Sequence, residues 1–323
     1  MATVSSLRVY PVKGCKGIEL DTAMMTPTGL AFDRHWVVVR EGTMKFMSQR
    51  QIPQMCLIEV SLPIEALHGQ WGQLDPAAAL VLNAPGMEPV QVPISKTADD
   101  SLLRECTVWE WKGLAQDEGD EVAQWLSEFM GTAVRLMRYR GTPTSSRHEA
   151  GEAHADPCRR PTDPEWAPGF ETAFSDGYPV LLATEADLED LNRHLATPLP
   201  MNRFRPNIIL KDTEPWVTDN WAKVKICPQD GGTDGVDFLV TKPCSRCKVT
   251  TVNQDTAEVG LEPLATLASV RSGGVLGWDA GRKNWRHQVF FGWNVVAQQE
   301  GRLRVGDVAL ASIQERPGAF EGV

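Results

Sequence analysis

The sequence predicts a mostly β, α+β protein in which helices sit at the periphery of β structure. Three observations carry this reading. Short β-branched or aromatic runs, each bounded by Gly, Pro or Asn, recur along the 323 residues, as strands and their turns do. Helical periodicity is confined to a few segments. Neither a Gly-x-Gly-x-x-Gly run nor a P-loop lysine pattern occurs, which removes the nucleotide-binding devices of doubly wound sheets. The even spacing of strands and turns favours a barrel-like β domain over a parallel sheet. The length suggests two domains, and 42% apolar content suffices for their cores.

Strands are expected at 4–12, 35–40, 56–61, 79–82 and 89–93. A helix is predicted over 117–130, where Val122, Trp125, Leu126 and Phe129 share one face and Gly131 follows as a stop. Residues 141–172 are rich in Pro, Thr, Ser, Glu and Arg, so they read as a mobile surface loop or inter-domain seam. That seam divides an N-terminal β-rich domain, 1–140, from a second domain, 173–315, with 316–323 as a tail. His148 and His154 lie in it six residues apart and read as loop residues, not metal ligands.

The second region opens at Ser175-Asp176-Gly177-Tyr178-Pro179, followed by the buried-type run Val180-Leu181-Leu182-Ala183. Thr184 and Asp187 form a capping-box variant heading a helix with Leu188, Leu191 and Leu195 on one face. A short helix near 262–270 and closing strands near 289–296 and 303–311 complete the chain.

Charge limits the partners. With 32 Lys and Arg against 42 Asp and Glu, the net charge is −10, so the surface should repel nucleic acid and anionic membranes. An anionic ligand therefore needs a local basic pocket. Seven cysteines, an odd number without framework spacing, suit a reducing cytoplasm. No signal tract opens the chain, and no run of about 18 apolar residues occurs, so no membrane span is expected.

The run Thr241-Lys242-Pro243-Cys244-Ser245-Arg246-Cys247-Lys248-Val249-Thr250-Thr251 sets two thiols three apart, with arginine between them and a lysine on either side. Nearby positive charge draws a thiol pKa down, and soft metals choose thiolate. Structural zinc would need four clustered ligands, whereas Cys15, Cys56, Cys106, Cys158 and Cys227 stand singly. A thioredoxin-like pair should open a helix, yet Val249 to Val252 form a β-branched run that predicts strand.

Three further basic motifs accompany it: Tyr10-Pro11-Val12-Lys13-Gly14-Cys15-Lys16-Gly17, Phe32-Asp33-Arg34-His35-Trp36 and Arg203-Phe204-Arg205-Pro206-Asn207. Each stands beside Gly, Pro or an aromatic at a strand end, where guanidinium forks clamp phosphate. Together with Gln49-Arg50-Gln51, Ser175-Asp176-Gly177-Tyr178-Pro179 and the Thr250-Thr251-Val252 that follows Cys247, they resemble the molybdenum-cofactor sulfurase C-terminal (MOSC) superfamily. Within it, the resemblance is to the amidoxime-reducing components and their bacterial relatives, from residue 4 to about 312.

The resemblance implies an N-terminal MOSC-associated β domain, a MOSC β-barrel domain with peripheral helices, and a molybdenum cofactor held between them, as molybdopterin or its nucleotide form. Matched residue by residue, Cys247 is the molybdenum ligand and the catalytic centre. Ser245 and Arg246 lie against the cofactor, and Lys13 and Gly14 match a Lys-Ser pair that touches it. Arg34, Arg205 and Asn207 match further contacts, and Gly177 and Tyr178 a loop that approaches it. The implied reaction is two-electron, two-proton reduction of amidoximes, hydroxamic acids or N-hydroxylated bases to amines. No cysteine follows Cys247, so a C-terminal iron–sulfur domain like that of some bacterial relatives is not expected. Electrons would come from a separate cytochrome b5 or ferredoxin-type carrier with its reductase. The mammalian relatives' membrane anchor is not expected either. A cofactor carrier or sulfur-transfer module, with Cys247 as a persulfide, is the alternative. Asp33 and Asp176 read as ion-pair residues beside these motifs.

Overall fold

A computed structural model describes residues 1–95, 99–141, 156–232 and 234–313. His148, His154, most of the early seam and the 316–323 tail lie outside the described residues. Mostly β structure is found, as the sequence predicts. Seven strands close a barrel in the order Ile208–Lys211, Val180–Thr184, Phe290–Ala297, Val236–Ser245, Trp221–Cys227, Val308–Ile313 and Ala2–Val9. The last of these pairs back onto the first, Leu7 opposite Ile208. Every pairing is antiparallel except that of Val180–Thr184 with Ile208–Lys211, which the helix Glu185–Arg193 joins by a crossover.

Alternation explains the barrel wall. Val236–Ser245 turns Val236, Phe238 and Val240 inward, where they meet Val4, Leu7, Val224, Leu182 and Trp293. Val180–Thr184 is buried on both faces, because Leu191, Phe204, Leu267 and Phe291 cover its outer side. Thr184 caps the crossover helix by accepting from the Asp187 amide at 3.0 Å. The barrel borrows its closing strand from the chain's beginning. Thr22–Thr26 likewise pairs with Gly301–Arg304, so by pairing the first thirty residues belong with strands beyond residue 180.

The remaining N-terminal residues build a four-stranded sheet, Trp36–Arg40, Val134–Arg138, Trp111–Asp117 and Leu103–Val108, and a three-stranded one, Glu59–Ser61, Ala79–Asn83 and Val90–Pro93. The helix Asp120–Met130 closes their shared core through Val122 and Leu126. It starts three residues later than predicted, because Gly119 at φ 104° ends the strand that carries Asp117. Gly131, in the left-handed conformation, stops it. Trp125 and Phe129 are half-buried and stack at 6.2 Å on the rim.

Other expectations shift for local reasons. The first strand ends at Val9, since the Tyr10 amide donates to Asp33 at 2.8 Å and Pro11 has no donor. Residues 53–57 form a 3-10 turn ahead of Glu59–Ser61. The expected 303–311 strand is two strands, parted by a turn at Gly306 with φ 94°. Residues 156–172 are packed, not loose: Arg159, Arg160, Thr162, Glu171 and Thr172 are all buried. Among the described residues, no helix is long and apolar enough to cross a membrane.

Candidate functional site

The Cys-x-x-Cys run lies where the strand Val236–Ser245 leaves the barrel. The β-branched residues after it do not extend that strand; Lys248–Thr251 is a 3-10 turn. Hydroxyl groups decide this, since Thr250 and Thr251 donate to the carbonyls of Cys247 and Lys248, both at 2.9 Å, and such local bonds outweigh strand preference. Cys247 is thereby left half-buried at the head of the turn, its thiol without a hydrogen-bond partner among the described residues. Arg246 donates to the Cys244 sulfur at 2.8 Å and to the Phe204 carbonyl at 2.7 Å. Burial raises the Cys244 pKa, with Arg246 opposing, so Cys244 is the engaged thiol and Cys247 the available one.

Beside this turn stands the Tyr10–Gly14 segment. Burial pulls the Lys13 ammonium down to about 8, against the opposing pull of its partner Asp176. The Asp176 carboxylate also accepts from the Trp109 indole at 2.9 Å. Although burial raises its pKa, Lys13 and Trp109 hold it well below the usual range. Gly14 adopts φ 89°, which bends the chain past Cys15 and offers backbone to the cleft.

Two arginines flank Tyr10. Their guanidinium carbons stand 4.3 Å (Arg34) and 4.2 Å (Arg205) from its ring centroid, and both residues hold positive φ. Arg34 donates to Asp33 at 2.6 Å, to Asn207 at 3.1 Å and to the Arg205 carbonyl at 3.1 Å. Arg205 donates to the Cys15 carbonyl at 2.7 Å and to Gln254 at 3.1 Å. Asn207 also joins the Leu181 amide to the Arg8 carbonyl. These bonds fix both forks while leaving each with further N–H groups. Asp33 is thus an ion-pair residue, and so is Asp176.

The motifs converge on a cavity of about 230 Å³ whose charged lining is Lys13, Arg34, Arg50, Arg205, Lys242 and Arg246 against the single carboxylate of Asp176. In a chain of net charge −10, this is a concentrated anion site. Gly14, Tyr178, Asn207, Ser245 and Cys247 share its wall. Gly177 does not; at φ 145° it lines an adjoining cavity of about 910 Å³. The two cavities have Trp109, Asp176, Tyr178, Lys242, Ser245 and Cys247 in common. The Tyr178 hydroxyl donates to Asp163 at 3.3 Å, and burial raises its pKa. Sequence reasoning passed over Phe46 and Trp109 as site residues, while Lys242 entered it only as a charge beside the thiols.

An N-terminal β domain joined to a barrel, with one available thiol beside an engaged one in a basic cleft where they meet, defines the MOSC class of protein. Residues 1–133 match the MOSC N-terminal beta barrel domain and residues 170–309 the MOSC domain. The chain is 30% identical to mitochondrial amidoxime reducing component 2 of Bos taurus, over 97% of this chain and 84% of that protein. It is likewise 30% identical to mitochondrial amidoxime-reducing component 1 of Homo sapiens, over 95% and 82%. The chain belongs to the MOSC superfamily and, within it, to the amidoxime-reducing component family.

The residues present fit the molybdenum cofactor that this family implies. Among the described residues, no cluster of three or more His, Cys, Asp or Glu could hold a metal ion, so a metal at Cys247 needs ligands brought by a cofactor. A single unpartnered thiol supplies the remaining soft ligand. Excess guanidinium and ammonium groups match a phosphate-bearing pterin. The buried Arg246 Nε and Ser175 Oγ, both without partners among the described residues, add donor capacity on the cleft wall.

Proposed function

We propose that this protein is a molybdenum-cofactor-dependent reductase of N-hydroxylated compounds, converting amidoximes, hydroxamic acids or N-hydroxylated bases to the corresponding amidine, amide or amine. The observation that carries the reading is the free Cys247 thiol in a cleft with six basic side chains and one acid. Overall, the N–OH bond is replaced by N–H and water leaves, with two electrons and two protons consumed. Bound in the cleft, the cofactor supplies the metal-centred two-electron chemistry. A separate cytochrome b5 or ferredoxin-type carrier with its reductase delivers the electrons.

The chain's own residues bind and orient. Cys247 provides the metal ligand. Arg34 and Arg205, prealigned on Tyr10, would present N–H donors to the cofactor's phosphate, and Lys13 would add charge from the turn that follows the first strand. Ser245, Arg246 and the Gly14 backbone would border the pterin, while Gly177 and Tyr178 line the adjoining cavity. Fixing these groups before the ligand arrives lowers the entropy lost on binding. The seven free cysteines support a reducing, cytoplasmic setting.

Molybdenum and pterin content of wild type and Cys247→Ser tests the assignment, followed by benzamidoxime reduction with a chemical electron donor. Expected are near-stoichiometric molybdenum in wild type, its loss in the variant, and unchanged thermal unfolding of the apo forms, because the Cys247 sulfur has no hydrogen bond to lose. Wild type that holds cofactor but reduces no N-hydroxylated compound would favour the carrier with a Cys247 persulfide. Wild type without cofactor, from a host that makes it, would end both readings.

A further inference from the structure

Trp109 occupies a backbone position that disfavours it. Leu103–Val108 and Trp111–Asp117 pair with Val108 opposite Trp111, which leaves Trp109 and Glu110 as a two-residue hairpin turn. Trp109 carries φ 56°, a conformation such turns give to Gly or Asn. A bulky side chain is strained there, and backbone strain of this kind collects at functional sites. Glycine would relax the turn, so the indole is what the strain retains.

The indole is held on three sides. The Arg50 guanidinium covers one face, 4.4 Å from the ring centroid, and Phe46 leans on it at 5.1 Å and 49°. Its N–H donates to Asp176 at 2.9 Å, across the seam between the N-terminal sheet and the Ser-Asp-Gly-Tyr-Pro loop. What remains of its surface lines both cavities, and Trp109 and Tyr178 are the two aromatic residues that do so. The cavities differ in charge. Where the Cys247 cleft is strongly basic, the larger one balances Lys112, Arg159, Arg160 and Lys242 against Glu110, Asp156, Asp163 and Asp176. Its volume of about 910 Å³ is that of a small-molecule site.

Resting on the reductase reading, we propose that the larger cavity is the substrate chamber and that Trp109 is its specificity-determining residue, stacking the planar face of aromatic N-hydroxylated substrates beside Cys247. An electrically balanced chamber suits neutral planar molecules, and an indole face rewards an aromatic ring over an alkyl chain. Aliphatic N-hydroxylated compounds can enter the same chamber without that contact.

The test uses the molybdenum-loaded enzyme with no electron donor, so that binding is read apart from turnover. Benzamidoxime and acetamidoxime are titrated calorimetrically into wild type, Trp109→Leu and Trp109→Phe, each checked for molybdenum content and thermal unfolding. In Trp109→Leu, benzamidoxime affinity should fall by about tenfold, the scale of one aromatic stacking contact, while acetamidoxime stays within about twofold. Trp109→Phe keeps a ring but loses the Asp176 bond, and it should preserve the wild-type preference for benzamidoxime. Equal losses for both probes in Trp109→Leu, or no loss for benzamidoxime, would overturn the stacking role and leave the reductase reading intact. Should Trp109→Leu fail to fold, the Phe variant decides: a preference that collapses to parity overturns the inference. Molybdenum-loaded wild type that binds neither probe overturns the chamber and the reductase reading together.

Discussion

Lys13 makes the charge of the cleft dependent on pH. Its side chain is 9% exposed, and burial draws its pKa from 10.5 to about 8 even with the Asp176 carboxylate beside it. Keeping that ammonium charged without a bound anion beside it therefore costs about 3 kcal/mol. An anion seated against it offsets the cost and returns the pKa toward 10.5. Because the anion favours the protonated lysine, affinity is full below about pH 8 and declines as pH rises. The linkage limit is about tenfold per pH unit, reaching about 300-fold by pH 10.5. Asp176 sharpens the effect: it stays ionised throughout, so a neutral Lys13 leaves a carboxylate facing the ligand.

Calorimetric titration of the cofactor-free protein with sulfate, whose charge is constant over this range, measures the effect at about pH 7, 8.5 and 10. Wild type should lose most of its affinity between the first and last points. Lys13→Met should start weaker and decline far less, and subtracting its profile removes groups that titrate elsewhere, such as Arg160, which burial lowers to about 10. Parallel profiles for wild type and Lys13→Met would refute the reasoning, since Lys13 would then not be the group that the anion meets.

Two further outcomes follow from single side chains. Asp187 is buried, one of its oxygens has no partner among the described residues, and burial pushes its pKa from 3.8 to about 7. A folded pKa above the unfolded one gives stability that is full below about pH 4 and lost as pH rises through about 7, by up to about 4 kcal/mol. Thermal melts of wild type should thus fall between about pH 5 and pH 8, and Asp187→Asn should flatten that fall. Gly14→Ser introduces the Lys-Ser pair that the sequence resemblance implies but places a Cβ 2.9 Å from Met55 Cε at φ 89°. The substitution should destabilise by about 1–2 kcal/mol in urea unfolding; an unchanged midpoint would show that Met55 and the turn yield freely.

Legibility in the sequence followed the strength of the local signal. The helix Glu185–Arg193 was readable because Thr184, Asp187 and Leu191 specify cap and face together. Leu103–Val108, Trp111–Asp117, Val134–Arg138 and Trp221–Cys227 were not predicted, for their apolar residues alternate with Arg104, Glu105, Lys112, Arg135, Lys223 and Lys225. Such half-exposed strands acquire their identity from neighbours in the sheet. The run after Cys247 misled for the converse reason: β-branched residues suggested strand, while their hydroxyls closed a 3-10 turn. The cleft was legible as four motifs because Arg, Lys and Cys beside Gly and Pro are chemically conspicuous. Trp109 was not, since its importance arises from a φ value and from a partner, Asp176, that is 67 residues away.

What joins those motifs is strand register. Leu7 opposite Ile208 delivers the turn Tyr10–Gly14 to the same end of the barrel as Phe204–Asn207. The Arg8 amide bonded to the Asn207 carbonyl at 2.8 Å locks that alignment. A slip of one residue would send Leu7 and Val9 outward and carry Lys13 away from Asp176. Hydrophobic burial inside the barrel therefore enforces the placement of charges at its mouth, where like charges would otherwise drift apart. Arg34 and Arg205 both meet one tyrosine because Tyr10 directly follows the first strand and Arg205 lies in the loop before Ile208. The closing strand is drawn from the N-terminus, so the barrel and the anion site are completed by the same residues, and folding of the one assembles the other.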